Sequence, residues 1–283
     1  MRPMSIKKRR TFIVIFFALF IILIPIVILY SLGYRPGGGF FLVKTGGLYV
    51  HAPTSGVTFT MSNGNKENLG LFQNGFFVQN LIPNDYAVSL SKEGYYPWAK
   101  ILRVKPQLVS EAFPILIPRD LKLTEIEKTL GVATTSSIKA TTSKVDNSEY
   151  KRVSGLFALA TTTANLPLQK IKNKVEIFAK GDNIFALWNG DYSDIPLSFC
   201  TYDICEATST VFEAPGLKYI DFYPNRNDVI LITSVNGIVV VEMDKRPLQN
   251  IFPYYPVRGS EFRVDTDGII YVKDGDRIFI AGV

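Results

Sequence analysis

Between Thr11 and Tyr34 the chain carries 24 residues without a charged side chain, TFIVIFFALFIILIPIVILYSLGY. As a helix rising about 1.5 Å per residue they span about 36 Å, enough to cross a hydrocarbon core of about 30 Å. Pro25 interrupts the run and predicts a kink, which a bilayer tolerates better than water does. Beyond it the pattern changes to short runs of period two. In GLYVHAP, Leu48, Val50 and Ala52 share one face; in VTFTMSNG, Val57, Phe59 and Met61 oppose Thr58, Thr60 and Ser62. DYAVSLS sets Tyr86, Val88 and Leu90 against Ala87, Ser89 and Ser91, and KILRVK sets Leu102 and Val104 against Arg103 and Lys105. AFPILIP closes the series with Phe113, Ile115 and Ile117. Asn-Gly, Pro-Asn-Asp and Glu-Gly breaks at intervals of about ten residues predict a small antiparallel sandwich.

From Thr124 to Leu166 the composition turns to Thr and Ser, as in GVATTSSIKATTSKVDNSEY and ATTTAN, with too little apolar surface for a core. This predicts a flexible connector, with one local strand at YKRVSGLFAL. Three hairpin-like units follow: DNIFALWNGD at 182–191, DVILITSVNGIVVVEMD at 228–244 and DGIIYVKDGDRIFIAGV at 267–283. Their first Asp residues stand 46 and 39 positions apart, a blade-like period. KYIDFYP, DVILITS, GIVVVEMD and QNIFPY read as the four strands of one sheet. The expected divisions are a basic tail at 1–10, a transmembrane helix at 11–34 and a pliable exit at 35–45. A β-sandwich at 46–120, a linker at 121–170 and a blade-like β region at 171–283 follow. The expected class is mainly β behind one N-terminal helix.

Two resemblances accompany these patterns. LIPNDYAVSLSKEGYYPWAKILRV resembles the closing half of a PEGA domain, with Leu81, Pro83, Tyr86, Val88, Gly94 and Tyr95 on that pattern. Pro53-Thr54-Ser55-Gly56 stands where the family's naming turn belongs, and Asn84 replaces the usual Gly. The resemblance covers about residues 46–118 and implies a non-catalytic bacterial surface module, often membrane- or wall-associated. It supplies no ligand residues. The distal units resemble WD-repeat-like and TolB-like propellers in strand rhythm alone, since the Trp-Asp signature is absent. Residues 175–283 hold about two and a half blades, whereas closed propellers have about four to eight. An open fragment, strands from the linker, or a second copy of the chain would each account for the shortfall.

Charge alters the first impression of a basic protein. The chain has 31 basic and 25 acidic residues, but Arg2, Lys7, Lys8, Arg9 and Arg10 precede Thr11 without an acid among them. The rest is close to neutral, so nucleic acid is not an expected partner. The same cluster predicts a cytoplasmic N-terminus, a plasma-membrane anchor through residues 11–34, and an extracytoplasmic remainder. A cleaved signal peptide ending at Ser31-Leu32-Gly33 fits less well, because the apolar run exceeds the usual span of about 7–15 residues.

Candidate chemistry is sparse. Cys200 and Cys205 in CTYDIC are the only cysteines, and a two-residue turn at Tyr202-Asp203 would set them opposite one another for a disulfide, favoured outside the cytoplasm. Tyr95, Tyr96 and Trp98 raise the possibility of a sugar-stacking platform. Alternation permits only some of them to be exposed together, and core packing is the favoured reading, above all for Trp98. His51 is the single histidine and has no nucleophile motif around it. Near DTDG, Arg263 occupies the first ligand place of a calcium loop and no Glu closes it. No cofactor, metal site or catalytic residue is expected. The expected function is non-enzymatic binding or scaffolding at the cell surface, with wall polysaccharide or another surface protein as partner and self-association open. The ectodomain of a regulatory or assembly complex is the alternative, with an extracytoplasmic hydrolase behind it.

Overall fold

The helix α1, Ile6–Ser31, takes up the apolar run and includes Pro25. It starts and ends earlier than the expected 11–34, with Leu32 and Gly33 turning the chain into a strand. The Thr11 hydroxyl donates to the Lys7 carbonyl one turn back, so its polar atom is satisfied within the helix. Among the described residues this is the one helix long and apolar enough to cross a membrane, and its apolar side chains are exposed. The structure is a computed structural model and describes residues 6–37, 41–68, 74–126, 147–158, 168–201 and 204–282.

Two compact units divide the chain: Met1–Val88 with Ile101–Pro114, and Ser89–Lys100 with Ile115–Val283. In the first, β1 (Tyr34–Pro36) and β2 (Leu42–Lys44) form an antiparallel pair, so ordered ladder replaces much of the expected pliable exit. The strands β3 (Gly46–His51), β4 (Thr58–Met61), β5 (Lys66–Asn68), β6 (Gly75–Leu81), β7 (Asn84–Ser91), β8 (Trp98–Val104) and β9 (Val109–Ala112) follow. They make a three-stranded sheet, β6-β3-β9, and a four-stranded sheet, β5-β4-β7-β8. β3 runs antiparallel to β6 and parallel to β9. The alternating sets are buried as period two requires: Leu48 and Val50, Phe59 and Met61, Phe76 and Val78, Leu102 and Val104. Phe59 stacks on Phe76 with centroids 4.9 Å apart, joining the two sheets. The chain passes between the units three times, within β7, within β8 and after Pro114.

The second unit holds β10 (Leu123–Glu125), the helix α2 (Asn147–Ala158), and β11 (Gln169–Lys172), β12 (Val175–Lys180) and β13 (Asn183–Trp188). After them come β14 (Cys200–Thr201), β15 (Ile204–Cys205), β16 (Thr208–Glu213), β17 (Tyr219–Phe222), β18 (Val229–Ser234), β19 (Gly237–Glu242) and β20 (Ile251–Tyr255). The last are β21 (Glu261–Val264), β22 (Ile270–Asp274) and β23 (Arg277–Ala281). Apart from the β14-β15 pair these strands make three four-stranded sheets, β11-β12-β13-β16, β17-β18-β19-β20 and β21-β22-β23-β10. The second sheet is the one read from KYIDFYP to QNIFPY, and all of β18 is buried. Val175, Ile177, Ile184 and Ala186 pack with Ile220, Phe222, Ile230 and Ile232 in one core between the first two sheets.

Two expectations for the linker change. YKRVSGLFAL is not a strand: most of it lies in α2, because Val153, Leu156 and Phe157 recur at helical spacing and bury against Ile126, Tyr271 and Ile278. Leu123–Glu125 completes the third sheet by pairing with β23. The flexible-connector reading otherwise falls on residues 127–146 and 159–167, outside the described residues.

Candidate functional site

The first strands of the three sheets, β11, β17 and β21, are neighbours. On each, alternation carries a polar set to one side: Lys170 and Lys172, Tyr219 and Asp221, Glu261 and Arg263. Members of these sets meet. Lys170 Nζ lies 2.9 Å from an Asp221 carboxylate oxygen, and the Tyr219 hydroxyl donates to Asp221 at 2.9 Å. The Arg263 guanidinium sits 4.2 Å from the Tyr219 ring centroid, and the Lys170 ammonium 5.3 Å from it.

Where β11 and β17 meet the loop after β21, a cavity of about 390 Å³ opens, lined among others by Lys172, Asp221, Pro224, Asn225, Asp265 and Asp267. Its rim is prearranged. Asp265 accepts from the backbone N–H groups of Asp267 and Ile269 at 3.0 and 2.8 Å, folding the DTDG loop on itself. Gly268 takes φ +79°, a conformation a side chain at that turn would strain. From α2, Arg152 donates to the Tyr271 hydroxyl at 2.8 Å, and Tyr271 donates to Asp265 at 3.3 Å. Asn225, Thr266 and Asp267 are exposed at the mouth.

The two lysines differ in what holds them. Burial pulls the Lys170 ammonium down, but hydrogen bonds to Tyr219 and Asp221 more than offset it, so its pKa ends above the ordinary value. For Lys172 burial wins over attraction to Asp221, and its pKa is lowered. Its ammonium makes a long 3.5 Å bond to the Tyr223 carbonyl. Deeper in the second sheet, burial pushes the Tyr223 hydroxyl up to about 12. The cavity thus presents a weakly held cation, an exposed carboxylate and a loop whose backbone N–H groups are tied to Asp265. Phe222 is the one aromatic in the lining and is buried.

Residues singled out in the sequence fall elsewhere. Cys200 and Cys205 face one another across β14-β15 and are joined by a disulfide with S–S 2.02 Å; their turn at 202–203 lies outside the described residues. Trp98 cannot join an exposed platform: it has no accessible surface, and its indole N–H donates to Glu242 at 3.2 Å. Tyr95 and Tyr96 are half-buried, with Lys92 over the first ring and Arg119 over the second; Tyr96 also stacks on Phe252. His51 lies at the end of β3, its ring 6.0 Å from Phe113. Among the described residues no group of three His, Cys, Asp or Glu side chains could hold a metal ion. Lys170, Lys172 and Asp221 escaped notice in the sequence because QKIK straddled the end of the expected linker and KYIDFYP read as an ordinary strand. Their signal was polar residues at alternate positions on strands that open a sheet.

Comparison of the chain with protein-family models, with curated proteins and with solved structures finds no match in any of the three.

Proposed function

We propose that the chain is a single-pass membrane protein with a cytoplasmic N-terminus, whose extracytoplasmic β-rich portion is a non-enzymatic binding module. On this reading the 3+4 strand arrangement after α1 is a PEGA-like sandwich. The three four-stranded sheets are propeller-type blades, the last closed by a strand from the N-terminal side. Support for the blades comes from the matching order of the three sheets and the adjacency of their first strands. Support for the anchor comes from the exposed apolar helix and the basic residues before it.

The observation that carries the binding role is the cavity over the first strands, with Lys172 and Asp267 at one prearranged mouth. Opposite charges on an aromatic-poor lining suit a charged peptide segment of a surface partner better than a stacked sugar. A photoreactive residue at Asn225 in the membrane-embedded full chain tests this. A discrete protein adduct is expected, reduced about tenfold or more by Asp267→Lys or Lys172→Gln, the equivalent of about 1.4 kcal/mol. An adduct indifferent to both variants, or equal retention of all forms on isolated wall polysaccharide with no adduct, overturns the peptide-binding role.

A further inference from the structure

The end of the first unit nearest α1 carries an apolar rim, and we infer that this rim lies in the lipid headgroup layer as a second membrane contact. The inference rests on the reading that α1 spans the bilayer. The helix ends among interfacial residues: Tyr30 is exposed, Tyr34 follows, and the Arg35 guanidinium lies 3.4 Å over the Tyr30 ring. Aromatic and cationic side chains of this kind mark the headgroup level. From that level two successive hydrogen-bonded steps reach the loop between β8 and β9. Thr45 N–H donates to the Gly33 carbonyl at 2.9 Å, and Gln107 N–H donates to the Thr45 carbonyl at 2.9 Å. Gly46 approaches the Lys105 and Leu108 carbonyls so closely that a Cβ has no room.

A third connection runs the other way around the helix end. Arg35 donates to the Asn80 side chain at 2.9 Å, placing the end of β6 beside β1. Asn80, near the end of β6, and Gln107, in the β8–β9 loop, both take positive φ, at 60° and 61°. Close after them, apolar side chains are exposed: Ile82 at 42%, beyond the buried Leu81, and Leu108 and Val109 at 57% and 48%. Leu42 on β2 is 51% exposed. In water these would form an unexplained apolar rim; at headgroup level they are the side chains that enter the acyl boundary, with Arg35 and Lys44 among them for anionic headgroups. The occupant is therefore the bilayer surface itself, continuous with the surface that α1 enters.

Both native cysteines are joined to one another, so an introduced cysteine is the sole free thiol for a fluorescent label. Full chains reconstituted into phospholipid vesicles carry the label at Leu108→Cys, at Ile82→Cys, at Ser55→Cys or at Ala18→Cys. Ser55 follows β3 at the far end of its sheet, and Ala18 lies within α1. The expected result is blue-shifted emission at 108 and 82, quenched several-fold more by headgroup-level lipid-borne spin labels than by aqueous iodide. Position 55 should show the reverse, and position 18 quenching by deep acyl-chain spin labels. Iodide quenching at 108 and 82 equal to that at 55, with position 18 still deep, overturns the second contact and leaves the span standing. Iodide access at position 18 overturns both.

Discussion

Lys100 has no accessible surface, yet its ammonium is well compensated: it lies 2.8 Å from Glu242, donates to the Asp244 carbonyl at 2.8 Å and sits 3.4 Å from the Asp244 carboxylate. Glu242 in turn accepts from Trp98 and from Asn250 at 2.7 Å, and Arg246 holds Asp244 at 2.7 Å. The Asn250 amide behaves like one more peptide unit, exchanging bonds with both backbone groups of Ala99. Removing one member strands the others without solvent. Lys100→Ala should therefore cost about 3–5 kcal/mol, whereas Arg103→Ala, which breaks a half-exposed pair with Asp85, should cost less than about 1. Chemical denaturation of the detergent-solubilised protein measures both, and equal costs would contradict the assignment. The Lys100→Ala penalty also depends on pH. Burial raises the Glu242 pKa above its unfolded value, and Lys100 opposes the rise. This group therefore favours folding below the ordinary carboxylate range and loses that contribution as pH rises through the folded value; without Lys100 the penalty should be larger near pH 7 than near pH 4. Part of this was legible: Lys100 shares the parity of Leu102 and Val104, an inward position for a charge. Its partners were not, because they lie 142 and 144 positions away, at the end of β19 and just past it.

Elements with strong alternation were the readable ones. DVILITS and GIVVVEMD became β18 and β19, their β-branched runs suiting strands, and six consecutive positions of the first are buried, as in a strand covered on both faces. Leu123–Glu125 was hidden, since three residues carry no period and the surrounding composition is that of a connector. What makes it a strand is tertiary: Ile126 N–H donates to Ile278 at 2.8 Å, Gly282 N–H donates to Lys122 at 2.9 Å, and the Ile126 side chain enters the core under α2. Ile126→Ala should thus destabilise the second unit by about 2–5 kcal/mol, as for any buried aliphatic truncation. A cost below about 0.5, the range of surface positions, would return this segment to the connector. The stretch from Leu81 to Val104 shows the same division. Its strands were visible in Tyr86, Val88 and Leu90, but the chain's passage between units within β7 and β8 left no trace in the local pattern.

At the scale of the whole molecule the account joins an exposed apolar helix, a basic segment before it and a β-rich remainder close to neutral charge. On the proposed reading, lipid would cover the exposed apolar surface of α1 and the basic residues before it would set its direction. A disulfide between Cys200 and Cys205 belongs to the same picture, since such bonds persist in oxidising compartments. The cavity over β11 and β17 can then serve only a partner on that side of the membrane. Orientation is accordingly the most direct test of the central claim. Intact cells producing Ser55→Cys or Ser5→Cys full-length protein are treated with a membrane-impermeant maleimide, before and after permeabilisation. The account predicts labelling at 55 in intact cells and at 5 only after permeabilisation. Labelling at 5 in intact cells with 55 protected, or both sites protected until permeabilisation, would contradict it.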